Sequence, residues 1–220
     1  MRFVHLMESC LFVLSPTAPA LGTVCNKDTG FECVACEPEL ICYDSELDNK
    51  GTCCNNFYDL IEFTKSVISA LAMISVESSF SIVPFATNAT LVSDLASAVE
   101  ALDSLDALTF TGGRTNHAAA IDSCRTSLQS SPEGEKRKNY LLLITDGSAS
   151  EPEGVPGLVA EAAAMEAKSE GIIIIPVMIK QWLYVYLERI SSDGTVFDAS
   201  DFDVLDSLQD KLLAQISCQE

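Results

Sequence analysis

Two uninterrupted apolar runs, Tyr140-Leu141-Leu142-Leu143-Ile144-Thr145 and Ile172 to Ile179, constrain this chain more than any other feature of its sequence. A strand that is apolar on both faces has to be covered by helices on both sides, which places it inside a parallel sheet. Between the two runs lies an alanine-rich stretch, 157–170, that reads as a helix begun at Pro156 and ended by Gly171. Strand, helix, strand in that order makes a parallel pair joined by a right-handed crossover.

The alternation extends both ways from this unit. Phe57, Leu60, Ile61, Thr64, Val67, Ile68 and Leu71 recur at three-and-four spacing and predict a helix over 56–74. Phe80 to Phe85 reads as a strand, with Pro84 marking a position where no ladder needs a backbone N–H. Leu95, Ala98, Val99 and Leu102 predict a short helix, and Ala118, Ile121, Cys124 and Leu128 predict another after the Gly112-Gly113 turn. Residues 182–191 read as a short helix, Thr195-Val196-Phe197 as an edge strand, and Val204 to Ile216 as a last helix capped by Ser200. The expected fold is α/β, a doubly wound, mostly parallel sheet with helices on both faces.

The first fifty-odd residues follow another pattern. Arg2, the apolar run Leu11-Phe12-Val13-Leu14 and the small residues Ala18-Pro19-Ala20 read as a secretory leader over 1–20, although Glu8 and Ser9 interrupt its apolar part. Residues 21–54 hold six of the nine cysteines, Cys25, Cys33, Cys36, Cys42, Cys53 and Cys54, in a polar context. So short a segment cannot bury a core of its own, and in an oxidising compartment disulfides take the core's place. Cys33-x-x-Cys36 also has the spacing of a zinc half-site, but no second such pair or histidine pair completes it. Removing Cys10 with the leader would leave an even number for pairing. Cys218 is placed to join Cys53 or Cys54, and Cys124, on a helix, reads as a buried thiol. Residues 55–220 then form the large domain. Asn88-Ala89-Thr90 is an acceptor triplet for N-linked glycan.

Charge excludes one class of partner. With 32 acidic against 13 basic residues and a formal charge of −19, most of the surface repels a polyanion, so no nucleic-acid partner is expected. No segment after the leader reaches the roughly 20 apolar residues of a membrane span.

Ligands of such sheets bind at the carboxyl ends of the strands, where the winding reverses. Two loops belong there: Thr111-Gly112-Gly113-Arg114-Thr115-Asn116, with a hydroxyl just before a helix, and Thr145-Asp146-Gly147-Ser148, with a carboxylate just after the central strand. Together their oxygens are hard ligands suited to Mg²⁺, Mn²⁺ or Ca²⁺. Each alone has an ordinary explanation, as a helix cap or a turn. His117, at the start of the following helix, reads as facing solvent.

The order of Phe80 to Phe85, Gly112-Gly113-Arg114-Thr115-Asn116, Leu142-Leu143-Ile144-Thr145-Asp146-Gly147 and Gly171 to Val177 resembles the von Willebrand factor type A domain, over about three quarters of the chain. The resemblance implies a metal-ion-dependent adhesion site in which a cation, held by an Asp-x-Ser-x-Ser loop, a threonine and an aspartate, leaves one position open to an acidic side chain of a partner. Thr115 would then bind the ion directly and Asp146 directly or through water. The Asp-x-Ser-x-Ser loop and its apolar strand should stand just before helix 56–74, and they do not. Asp48, Lys50 and Thr52 fall on the three positions in one register, where the Lys50 ammonium would repel a cation. Another register takes Leu40 to Tyr43 as the strand and Asp44, Glu46 and Asp48 as ligands. In a third reading the strand is absent, and the sheet needs a substitute, since its neighbours' backbone groups cannot stay unpaired.

The function implied is an extracellular protein-binding or adhesion module for a matrix or cell-surface protein, using Thr115, Asp146 and Asp48 as metal ligands. A metal-independent interaction module is the alternative. The sequence has no Gly-x-Ser-x-Gly elbow, no phosphate-cradling glycine loop and no His-Glu-x-x-His, so no enzyme is expected, and a metal-dependent hydrolase built on Asp146 is the weaker reading.

Overall fold

The structure, a computed structural model, describes residues 7–12, 53–75, 77–109, 115–130, 138–145, 157–179, 184–199 and 205–218. In chain order the elements are β1 (Met7–Phe12), α1 (Cys53–Ile74), β2 (Ser79–Ile82), β3 (Ser93–Ala96), α2 (Ala98–Asp106), α3 (His117–Gln129), β4 (Lys138–Thr145), α4 (Leu158–Ser169), β5 (Ile173–Ile179), α5 (Tyr184–Ile190), β6 (Phe197–Ala199) and α6 (Leu205–Cys218). The six strands form one sheet in the order β3-β2-β1-β4-β5-β6, the order of a doubly wound fold. Only the edge strand β3 is antiparallel to its neighbour.

The strand wanting before α1 is supplied from farther up the chain. Met7–Phe12 lies between β2 and β4, with Glu8 opposite Ser79 on one side and Asn139 on the other. The sheet is therefore continuous, and the segment that completes it falls inside the stretch that reads as a leader. Residues 40–48, the other proposed source of strand and ligands, lie outside the described residues.

The buried strands follow their composition. β4 is buried from Tyr140 to Thr145 and β5 from Ile174 to Ile179, with helices on either side. Pro176 sits within β5 without breaking it. Two residues earlier, on the same edge of the strand, Ile174 takes its hydrogen bonds from outside any strand: its N–H donates to Ser192 Oγ (2.8 Å) and its carbonyl accepts from Ser192 N (3.0 Å). The ladder to β6 begins only at Val177, so the N–H that proline lacks has no ladder partner on that edge. α4 ends at Ser169 with Glu170 as its cap, and Gly171 follows at φ 84°, the left-handed residue that ends helices.

Two elements differ from the sequence reading at the β3 edge. Leu95 and Ala96 are strand, not helix, and α2 starts at Ala98 behind Ser97, whose hydroxyl accepts from Glu100 N while the Glu100 carboxylate accepts from Ser97 N. β3 carries a register shift opposite Phe80 and Ile82, and Leu95 takes a φ of 45° there. The buried Ser81 hydroxyl fills the irregularity. It accepts from Leu95 N (2.8 Å) and lies 2.7 Å from Ser127 Oγ, which donates to Asp94 (2.5 Å). A short polar network thus ties β2, β3 and α3. On the opposite side of the chain's path, α1 meets α2 and α6, with Ser66 donating to Gln209, and Tyr140 Oη of β4 donates to the Ile216 carbonyl of α6 (3.3 Å).

Candidate metal centre

The reversal of winding falls between β1 and β4, so the carboxyl ends of these strands define the place where a ligand would sit. Thr115 enters α3 at this end. Its side chain is 1% exposed, and the next residue, Asn116, caps the helix by accepting Ala119 N at 3.0 Å. Capping is therefore the work of Asn116, and the Thr115 hydroxyl is not the cap that a glycine turn would ordinarily predict.

His117 is buried, not solvent-facing as its place at a helix start suggested. It is 0% exposed. Nε2 lies 2.9 Å from Thr145 Oγ1 at the end of β4, and Nδ1 lies 3.0 Å from the hydroxyl of Tyr186 on α5. Phe85 packs edge-on to the ring at 5.6 Å, and the Tyr186 ring lies at 5.8 Å. Burial lowers the imidazole pKa to about 3, so the ring is neutral. With one nitrogen protonated, one hydroxyl receives a hydrogen bond and the other gives one. The sequence did contain the signal: counting back four from Ile121 along the buried stripe lands on His117.

The ring bridges the start of α3 and the end of β4. Thr115 is two residues before it, and Asp146 follows its partner Thr145 in the chain. Tyr186 is held in turn by Gly157, at φ 91°, where an added Cβ would stand 2.8 Å from the Tyr186 ring. Lys168 steadies α5 from the other end, its ammonium donating to the carbonyls of Arg189 (2.7 Å) and Ser191 (3.2 Å).

Of the three residues read as metal ligands, only Thr115 is described; Asp146 and Asp48 lie outside the described residues. Among the described residues no group of three or more His, Cys, Asp or Glu side chains could hold an ion. Among the described residues the donor chemistry at this end is the buried Thr115 hydroxyl, because both nitrogens of His117 are engaged. Oxygen without nitrogen suits Mg²⁺ or Mn²⁺. The chain leaving β1 reads Val13-Leu14-Ser15-Pro16-Thr17, and no acidic residue follows until Asp28, so the carboxylate that an Asp-x-Ser-x-Ser loop would offer directly after this strand is missing.

Cys124, on the inner face of α3, is fully buried and disulfide-bonded, where a buried thiol was expected. Its partner is one of the other eight cysteines.

A sheet in the order 3-2-1-4-5-6, with a buried threonine at the entry of α3, defines a doubly wound α/β domain. Residues 53–211 match the von Willebrand factor type A domain, and the chain belongs to that family. The match begins with α1 and does not reach β1. No curated protein shows significant sequence similarity to the chain. Among solved structures it is similar to proximal thread matrix protein 1 from the mussel byssus, with a TM-score of 0.66 at 16% identity over 95% of this chain and 46% of that one. A second crystal form gives 0.67 at 18% identity, covering 97% and 48%. The form with a zinc-occupied MIDAS motif gives 0.66 at 18%, covering 98% and 46%. The chain spans less than half the length of these neighbours, and at such identity the likeness establishes the fold.

Proposed function

We propose that this chain is an extracellular protein-binding module that engages an acidic side chain of its partner through a divalent cation, and that it is not an enzyme. The observation that carries the reading is the buried Thr115 at the switch point, held by the His117–Thr145 clamp to the end of the strand that Asp146 follows. Thr115 and Asp146 would hold the ion, with Asp48 as a further carboxylate. When bound, the cation would supply a Lewis-acidic position open to a carboxylate. The chain's own residues do the rest: Asn116 fixes the start of α3, and His117 keeps the two loops in register. The mussel matrix protein with a zinc-occupied MIDAS motif supports a divalent ion at this kind of site. The extracellular setting is supported by the disulfide at Cys124, since structural disulfides persist in oxidising compartments. Among the described residues no helix is long and apolar enough to cross a membrane.

The second reading, a metal-independent interaction module, is favoured by the lack of an acidic residue from Val13 to Lys27, directly after β1. Thermal melting of the purified chain in Mg²⁺ or Mn²⁺ separates the two. A site filled at about 100 times its dissociation constant stabilises by roughly 2.7 kcal/mol, which raises Tm by several degrees. Thr115→Val and Asp146→Ala should each abolish the rise. An unchanged Tm at millimolar metal rejects the cation and leaves the metal-independent module, and a rise that survives Asp146→Ala moves the site elsewhere.

A further inference from the structure

The chain after β2 folds back on itself before it reaches β3. Pro84 carbonyl accepts from Thr90 N (3.1 Å), Ala86 N donates to the Asn88 carbonyl (2.9 Å), and Phe85 and Ala89 form an antiparallel bridge. The result is a tight hairpin with Thr87 and Asn88 at its tip. It is pinned to the entry of α3, where Asn116 N donates to the Ala86 carbonyl (2.9 Å) and Asn116 Nδ2 to the Thr87 carbonyl (3.2 Å). Asn88, Ala89 and Thr90 form the one Asn-x-Ser/Thr triplet in the sequence. The Asn88 amide and the Thr90 hydroxyl are both exposed, and no described residue bonds either side chain.

We propose that Asn88 is the acceptor of an N-linked oligosaccharide, displayed at the carboxyl edge of the sheet beside the N-terminus of α3. The placement rests on the triplet itself, on the exposure of Asn88 and Thr90, and on the hydrogen bonds that fix their hairpin to Asn116. In the transfer, Nδ2 of Asn88 attacks C1 of the first N-acetylglucosamine of a polyprenyl-pyrophosphate-linked oligosaccharide. The C1–N bond forms as the C1–O bond breaks, the polyprenyl pyrophosphate leaves, and the amide proton passes to a base of the transferase. Asn88 and Thr90 also border a cleft of about 240 Å³ with Phe57, Phe85, Val92 and Leu108 among its other walls, which gives the sugar nearest the chain an apolar surface to rest on. Because the hairpin adjoins Thr115 through Asn116, the oligosaccharide stands at the rim of the candidate metal centre and narrows the approach of a partner from the β2 side.

This inference rests on the extracellular reading above, and the experiment keeps the two apart. The full chain is expressed in a eukaryotic secretory host twice, once with its own N-terminus and once behind a foreign cleavable leader, and the Asn88 peptide is examined by mass spectrometry. The leader-bearing chain should carry an oligosaccharide that peptide-N-glycosidase removes, leaving Asp at 88. Asn88→Gln and Thr90→Ala should each abolish it completely, the second without altering the acceptor itself. Modification of both chains supports the site and the setting together. Modification of the leader-bearing chain alone supports the acceptor site and rejects the extracellular setting. A leader-bearing chain recovered from the medium with Asn88 unmodified overturns the proposal.

Discussion

His117 makes the sharpest expectations at the scale of single residues. Its folded pKa is lowered from 6.5 to about 3, so between those values the unfolded chain binds a proton that the folded chain refuses. Stability from this group is fully present above pH 6.5 and is lost as pH falls toward 3, by about 1.4 kcal/mol for each pH unit. Urea midpoints measured from pH 8 to pH 4 should fall, and His117→Phe should remove part of that slope, leaving the part due to carboxylates. The same variant removes the hydrogen bonds of His117 to the Thr145 and Tyr186 hydroxyls and should cost roughly 1–3 kcal/mol at neutral pH. A variant slope equal to the parent's would show that the ring is not excluded from protonation. Gly157 supplies a second case. Gly157→Ala combines a left-handed backbone with a Cβ 2.8 Å from Tyr186, so a loss of about 1–3 kcal/mol is expected, read as a Tm lowered by several degrees.

Among elements, β1 decides the most. Its removal would strip one edge of β2 and one of β4 of their hydrogen-bonding partner and open the sheet at its switch point. Deleting residues 1–12 should therefore abolish cooperative unfolding, monitored by circular dichroism and calorimetry. The leader reading of 1–20 and the strand at Met7–Phe12 exclude each other within one mature chain, and N-terminal sequencing of secreted protein decides between them. A start near Leu21 removes β1 from the folded domain, and a start before Met7 retains it. The elements that could be read from sequence were those with long unbroken patterns: β4 and β5 from their apolar runs, α1 and α3 from their stripes, α4 from its alanine-rich stretch between Pro156 and Gly171. β1 was hidden because Glu8 and Ser9 break its apolarity and because it stands forty residues ahead of the helix it should precede. β3 was hidden because four residues with a bulge and a positive φ leave no alternation to detect. At the site the pattern of loops pointed to Thr115 and Asp146; Thr115 is buried at the entry of α3, and Asp146 lies outside the described residues. The clamp was legible only through the helical stripe that joins His117 to Ile121, because its partners Thr145 and Tyr186 lie 28 and 69 residues farther along the chain.

For the molecule as a whole, a formal charge of −19 means that the folded chain repels itself. Local pairings soften this in places, as where Arg125 of α3 reaches Glu166 of α4 and Glu170 at its C-terminal cap, each at 3.0 Å. Between about 10 mM and 150 mM NaCl the screening length shrinks from roughly 30 Å to 8 Å, and Tm should rise as repulsion fades. A falling Tm would mean that the ion pairs between helices outweigh the repulsion. The position of β1 has a consequence in time as well. Of the described strands, β1 comes earliest in the chain and yet lies in the middle of the sheet, and its second neighbour, β4, is not finished until residue 145 has been added. Throughout that interval the nascent chain carries a strand with a free edge, a condition that favours capture by chaperones and mispairing between copies. Contacts so distant in sequence also slow folding, so refolding from denaturant should lag behind that of helical domains of equal size and lose yield as concentration rises.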